Sequence, residues 1–375
     1  MGGERRTAVL IACKDGEGTI AEAVLSAVEQ ADVYVVSDGS TDRTAEVAAA
    51  AGARVLARRA GGGKPDALRA GSARFALAER YEYIAVLDDD TRLAPDYVEK
   101  TTAVLDAKPN VAAASGRIDS LWDHRRRWNA LIAMRAFTYW SYQATIKRGQ
   151  SLLHVVNVIC GANTVFRAGI FGELIHHDAP YAIDDMYWLA EIVRQRLGHI
   201  AYVHDARSWT MDPHRFRDWY RQTVRWSWGQ FQSIRGHRLG FPIRRRENGR
   251  GFRVSWFDTA YLAQICDWIP YMLEPLAIPV LAVLTRGWID PYWFVALYFA
   301  TTGAWILVGA VALKKPRLIL LAPAIVVLDL VYRATMFHAF VKTIFSPRIE
   351  KCAWTSPQRF ELEETTRRAS ALENV

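Results

Sequence analysis

The apolar residues of this chain change rhythm as the sequence proceeds. Near the start they come in short unbroken runs: Thr7-Ala8-Val9-Leu10-Ile11-Ala12-Cys13, Val33 to Val36, Arg54-Val55-Leu56-Ala57 and Tyr83-Ile84-Ala85-Val86-Leu87. Runs of this length without polar alternation predict strands buried on both faces. Between them lie predicted helices: Ile20 to Gln30, Ser40 to Ala51, and one beginning at Lys64-Pro65 after the flexible Gly61-Gly62-Gly63 turn. Strands alternating with helices imply an α/β fold with a parallel sheet, whose ligands lie beyond the carboxyl ends of the strands. From Val111 to Gly240 the pattern becomes α+β and rich in aromatics. Trp128 to Lys147 reads as a helix carrying Trp128, Leu131, Ile132, Tyr139 and Tyr142 at helical spacing. That stripe faces either a core or a lipid headgroup layer.

From Phe257 to Phe345 the chain is largely apolar, broken at Arg286-Gly287 and at Lys314-Lys315-Pro316-Arg317. Two membrane spans are expected, at about 258–285 and 290–313. The stretch 318–345 holds Asp329, Arg333, His338 and Lys342. It reads as a re-entrant, interfacial or third spanning segment, because charged groups at membrane depth face protein or a wet cavity. The predicted organisation is a cytosolic domain with interfacial helices over 1–245, a membrane region over 246–345, and a cytosolic tail over 346–375.

Composition sharpens this in three ways. The net charge is +8, but the positive residues flank the apolar segments (Arg235 to Arg253 before them, Lys314 to Arg317 between them). Such placement points to the cytoplasmic face of a bilayer and away from nucleic acid, for which no binding module is visible. Four cysteines without a CxxC pair suggest neither a disulfide framework nor a zinc site. The start of the chain leads into a strand without a signal-peptide pattern, so the catalytic part is expected in the cytoplasm of a multi-pass cell-membrane protein.

The chemistry centres on Asp88-Asp89-Asp90, at the end of the run Tyr83 to Leu87. Carboxylates where a buried strand opens into a loop can hold a divalent cation, and a cation can hold a diphosphate. Alone the triplet is weak, since Asp also starts turns. It has company: Asp38 after the strand Val33 to Val36, Ile183-Asp184-Asp185 opening a helix, and Gln222-Thr223-Val224-Arg225-Trp226 (QxxRW) on another. Gly61-Gly62-Gly63-Lys64 is not a Walker loop, because Pro65 stands where Ser or Thr is required.

These elements, in this order, resemble the membrane-bound family 2 glycosyltransferases that include hyaluronan, chitin and cellulose synthases. The resemblance covers about Thr7 to Arg359 and is strongest to the hyaluronan synthase branch. It implies a GT-A-like, Rossmann-like cytosolic glycosyltransferase domain followed by C-terminal transmembrane and interfacial helices. It implies Mg²⁺ or Mn²⁺ held by Asp90 and Asp88, and a general base at Asp185 supported by Asp184. Donor contacts fall on Asp38, Lys64, Asp88, Gln222, Arg225 and Trp226. For Asp38 the alternative is a helix cap, for Lys64 a solvated lysine, for Asp185 a helix start, and for the tryptophans plain packing. Val158 to Arg167, with Cys160 and Gly161, resembles the segment lining the acceptor end, which Trp226 also serves. Trp354-Thr355 lies where the branch carries a gating element, in a degraded form.

The implied partners are a UDP-sugar, a polysaccharide or lipid-linked acceptor, and the bilayer. Relatives that export polymer line a channel with more helices than this chain has, so either a homo-oligomer completes one or no long chain is exported. The leading expectation is an inverting, metal-dependent enzyme elongating a β-linked polysaccharide. The alternatives are single-sugar transfer to a polyprenyl phosphate or glycolipid, and a catalytically silent membrane scaffold. On the leading reading, Asp38, Asp90, Asp185 and Arg225 gather around one cation-bridged pyrophosphate.

Overall fold

The computed structural model describes residues 5–123, 125–176, 182–245, 251–284 and 290–346. Its elements run β1 (Thr7–Cys13), α1 (Ile20–Ala27), β2 (Asp32–Asp38), α2 (Thr44–Ala50), β3 (Arg54–Arg58), α3 (Lys64–Arg74), α4 (Leu77–Arg80), β4 (Tyr83–Asp88), β5 (Thr91–Leu93), α5 (Tyr97–Ala107) and β6 (Val111–Ser120). Then come α6 (Ala130–Tyr142), a π-helical turn (Gln143–Lys147), α7 (Arg148–Leu152), β7 (Asn163–Arg167), α8 (Ala168–His176), α9 (Asp184–Gln195) and β8 (His199–Thr210). The chain continues through α10 (Phe216–His237), the short strands β9 (Ile243–Arg245) and β10 (Phe252–Val254), and the helices α11 (Trp256–Leu284), α12 (Pro291–Ala312) and α13 (Arg317–Phe345). The described residues fall into two compact units, 5–123 with Thr145–Met211, and 125–144 with 212–346.

The first unit is built on one sheet in the order β3-β2-β1-β4-β7-β6-β8-β5. The four strands read as buried runs pair in parallel, and every residue of β1 is buried. The parallel sheet expected from those runs is present. β7 lies antiparallel between β4 and β6, so the sheet as a whole is mixed. A strand entering from the far side can pair only antiparallel, and this delivers the start of β7 to the carboxyl end of β4. Leu87 is opposite Asn163, and the Asp88 amide donates to the Ala162 carbonyl at 3.3 Å. The helix expected from Ser40 begins instead at Thr44, after the N-cap position Arg43, and the Asp42 carboxylate accepts from the Thr44 amide at 3.0 Å just ahead of it.

The second unit is helical apart from the β9–β10 hairpin. Within it α6 packs on α12: the Trp140 and Trp305 rings lie 5.1 Å apart, and the Trp305 indole donates to Ser141 Oγ at 2.8 Å. Helix α13 packs on α10, with Lys342 Nζ 3.4 Å from the centre of the Trp228 ring. Asp329 on α13 accepts from Tyr271 of α11 and Tyr298 of α12, each at 2.7 Å, and ties the three long helices together. The stretch read as re-entrant, interfacial or spanning is one unbroken helix of 29 residues despite Pro323. Among the described residues Val295–Ala312 and Arg317–Phe345 are long and apolar enough to cross a membrane, judged by length and composition. Two such helices are consistent with membrane association.

Candidate active site

The site in the first unit is assembled at strand ends. Asp38 closes β2 and is fully buried. Parallel pairing sets it beside Arg58 of β3, whose guanidinium lies 2.9 Å from Asp38 Oδ1. Asp38 Oδ2 accepts from the amides of Gly62 and Gly63 at 2.9 and 3.0 Å. Oδ2 thus holds the glycine turn, while Oδ1 faces Arg58. Only glycine fits here: at Gly39, with φ +71°, a Cβ would lie 2.7 Å from the Gly61 amide nitrogen. Arg58 also pairs with Asp66 at 2.5 Å, fastening the start of α3 to β3.

The turn delivers Lys64, the first residue of α3, into a cluster of acids. Its ammonium lies 2.5 Å from Asp88 Oδ1 and donates to the Gly161 carbonyl at 3.1 Å. Burial alone would lower the Lys64 pKa. The charges of Asp88, Asp184 and Asp185 outweigh it and hold the ammonium well above the ordinary lysine range. Asp184 and Asp185 form the first turn of α9, where a helix start favours anions. Asp185 Oδ1 accepts from the Met186 amide at 2.7 Å. Asp184 Oδ2 is buried and has no hydrogen-bond partner among the described residues. Gly161 lies directly against this group: a Cβ there would stand 3.2 Å from Asp185 Oδ2 and 3.5 Å from Lys64 Nζ.

The acids of the triplet point apart, as successive residues leaving a strand do. Asp88 meets Lys64. Asp89 is buried and accepts from Cys13 Sγ at 3.4 Å and Thr19 Oγ1 at 3.5 Å, beside β1. Asp90, also buried, accepts from Thr210 Oγ1 at 3.3 Å, since the pairing of β5 with β8 sets Thr210 opposite Thr91. No cluster of three His, Cys, Asp or Glu side chains suited to a metal occurs among the described residues. Mg²⁺ and Mn²⁺ take one or two carboxylates with phosphates and water, so the hard-oxygen pair Asp88 and Asp90 fits such a cation.

Two residues absent from the sequence reading complete this unit's site. Lys147 ends the π-helical turn, is buried, and lies 5.2 Å from the centre of the Tyr202 ring. Burial pulls its pKa down, against the charges of Cys160 and Asp185. Burial likewise pushes the Cys160 thiol up. Arg58 is the other. Its signal was a basic residue closing the strand next to the one that ends in Asp38.

The second unit carries QxxRW on α10. Thr223 is buried, while Gln222, Arg225 and Trp226 are half-buried. Arg225 makes no hydrogen bond or ion pair among the described residues, which leaves its five donors for a ligand. Arg135 of α6, an arginine in phase with the stripe of Ile132 and Tyr139, donates to Gln222 Oε1 at 3.2 Å and stacks 4.5 Å over the Trp226 ring. That arginine was not anticipated, although a charge on an apolar stripe was the available clue. Trp354 and Thr355 lie outside the described residues.

Comparison with known proteins gives these arrangements a context. Residues 8–175 match the family described as Glycosyl transferase family 2. A poly-β-1,6-N-acetyl-D-glucosamine synthase of Staphylococcus epidermidis is 25% identical over 232 residues, which make up 59% of this chain and 53% of that protein. Its counterpart from Staphylococcus aureus matches with the same identity and coverage. The matched segment thus spans about half the length of these curated relatives. Among solved structures, a mannosyltransferase from Pyrobaculum calidifontis, in complex with GDP-Man and Mn²⁺, superimposes with a TM-score of 0.61 at 17% identity, covering 92% of this chain and 88% of the other. The fold is GT-A-like, and the match to family 2 glycosyltransferases covers residues 8–175.

Proposed function

We propose that this chain is an inverting, metal-dependent glycosyltransferase that uses a UDP-sugar to elongate a β-linked polysaccharide at the cytoplasmic face of a membrane, in the manner of the hyaluronan synthase branch. The observation that carries the reading is the cluster around Lys64. It ties the strand-end acid Asp88, the Gly161 carbonyl and the helix-start acids Asp184 and Asp185 to one ammonium. Such a cluster has a place for a diphosphate and, beside it, a carboxylate for the acceptor.

Asp185 takes the proton from the acceptor hydroxyl as its oxygen bonds to the anomeric carbon. The bond from that carbon to the diphosphate oxygen breaks, and its electron pair leaves with the nucleoside diphosphate. Asp184 supports Asp185 by adding negative charge beside it. Asp88 and Asp90 would hold Mg²⁺ or Mn²⁺, which when bound offsets charge on the leaving group. Lys64, at the end of the glycine turn, contacts the diphosphate. Asp38 serves the donor indirectly, by holding the glycine turn that presents Lys64. Cys160 and Gly161 border the acceptor. In the second unit, Arg225 and Gln222 offer donors suited to a diphosphate and Trp226 offers an apolar wall to a sugar ring.

The curated relatives are named as polymer synthases of N-acetylglucosamine, so UDP-N-acetylglucosamine is the first donor to test, followed by UDP-glucose and UDP-glucuronate. Membranes containing the protein are incubated with each radiolabelled donor, singly and in pairs, and products are sized. Long products lost in EDTA and restored by Mn²⁺ support the proposal. One sugar per acceptor would instead assign single transfer to a polyprenyl phosphate or glycolipid. No UDP release with any donor would leave a silent scaffold.

A further inference from the structure

We propose that Arg135 is the positioning residue of the Gln222–Trp226 motif, setting which atoms of Gln222 and which face of Trp226 meet the nucleotide; this rests on the glycosyltransferase reading above. Arg135 sits on α6 and is 4% exposed. Its Nη2 donates to Thr223 Oγ1 at 2.8 Å and to Gln222 Oε1 at 3.2 Å. The guanidinium carbon lies 4.5 Å from the centre of the Trp226 ring and 5.7 Å from that of Trp219. Asp212 Oδ1 stands 3.9 Å from Nε as the counter-charge, itself fixed by the Tyr139 hydroxyl at 2.9 Å.

Each contact removes one freedom from the motif. Arginine has no acceptor, so the Gln222 atom facing it is the oxygen, and the amide NH₂ is turned the other way. The Thr223 hydroxyl donates its proton to the Trp219 carbonyl at 2.8 Å, so its oxygen is left to receive Arg135. One face of Trp226 is covered, so a sugar or base ring stacks on the other. Asp212 serves Arg135, and Arg225 is left without a carboxylate partner among the described residues. An apolar side chain would fill the same space, but only a planar fork serves two acceptors while lying flat on an indole.

The test uses the full chain in detergent, with UDP and Mn²⁺ as the probe. Arg135→Lys keeps the charge and loses the fork. We expect it to weaken UDP about tenfold, as Gln222→Ala does alone, because each removes a contact in the same chain of hydrogen bonds. If Arg135 acts through Gln222, the double variant is no weaker than Gln222→Ala. An additive loss of about a hundredfold would overturn the proposal. The near-ultraviolet circular dichroism band that Trp226→Phe removes should shift in Arg135→Lys. A melting temperature that falls while band and affinity stay unchanged would reduce Arg135 to a packing role and also overturn it. Should Arg135→Lys fail to fold, Thr223→Val is read by the same cycle, with an expected weakening of about threefold. Wild-type protein that binds no UDP would reject the glycosyltransferase reading instead, and the Trp226 band would still decide whether Arg135 orients the motif.

Discussion

In the first unit the charged side chains of the site hold one another. Asp38 is gripped by Arg58 and two glycine amides, and Asp88 by Lys64. On α10 the arrangement is divided. The buried Arg135 takes the polar contacts, whereas Arg225 has no partner among the described residues. The contrast has a topological origin. Parallel strands end at one edge, so cross-strand neighbours and loop amides are at hand for a strand-end acid. A helix offers no free backbone donors along its length, so its polar side chains depend on a neighbouring helix or on a ligand. Cations that are paired keep the fold together, and a half-buried unpaired one is the better candidate for an anionic substrate.

That division can be broken by mutation, and the largest effect is expected at the acids. Asp185→Asn should lower kcat by roughly 10²–10⁴-fold while UDP still binds, the range for loss of a general base. Near-normal turnover would remove Asp185 from the chemistry. Arg58→Ala should act on the fold, costing about 3 kcal/mol because Asp38 is left buried with only its two amide donors. A thermal melt reads it, and an unchanged midpoint would deny the pairing its role. Arg225→Ala should do the reverse: an unchanged melt and a donor KM raised by about 1.5–3 kcal/mol, or ten- to a hundredfold. A destabilised Arg225→Ala with normal KM would erase the distinction between the two arginines. Gly39→Ala should be mildest, lowering stability by about 1–2 kcal/mol from its left-handed φ. The close Gly61 amide adds to that strain. A melt within error of wild type would mean that the turn can shift at little expense.

Local pattern carried much of this in advance. The four apolar runs became strands β1 to β4, and the acids stand at the strand and helix ends where the sequence put them. Helix α12 answers to the uncharged span expected at 290–313. Less legible was what each acid touches. The pattern around Asp38 suggests a donor contact but gives no sign that its carboxylate is held by residues 20 or more positions further on. The Arg135 contact with Gln222 joins positions 87 apart, across two helices that no periodicity relates.

What the sequence determined by itself was the type of each strong element, the strand-end and helix-start location of the acids, and the apolar span that became α12, because side-chain period and local residue identity govern those choices. Only the tertiary structure decided that β7 enters antiparallel and brings the Ala162 carbonyl to the Asp88 amide. It alone decided that Lys64 joins acids from β4 and α9, and that Arg135 rather than Arg225 is buried against the tryptophans. These depend on chain crossings and on which side chains exclude water together, and neither is encoded within any one segment.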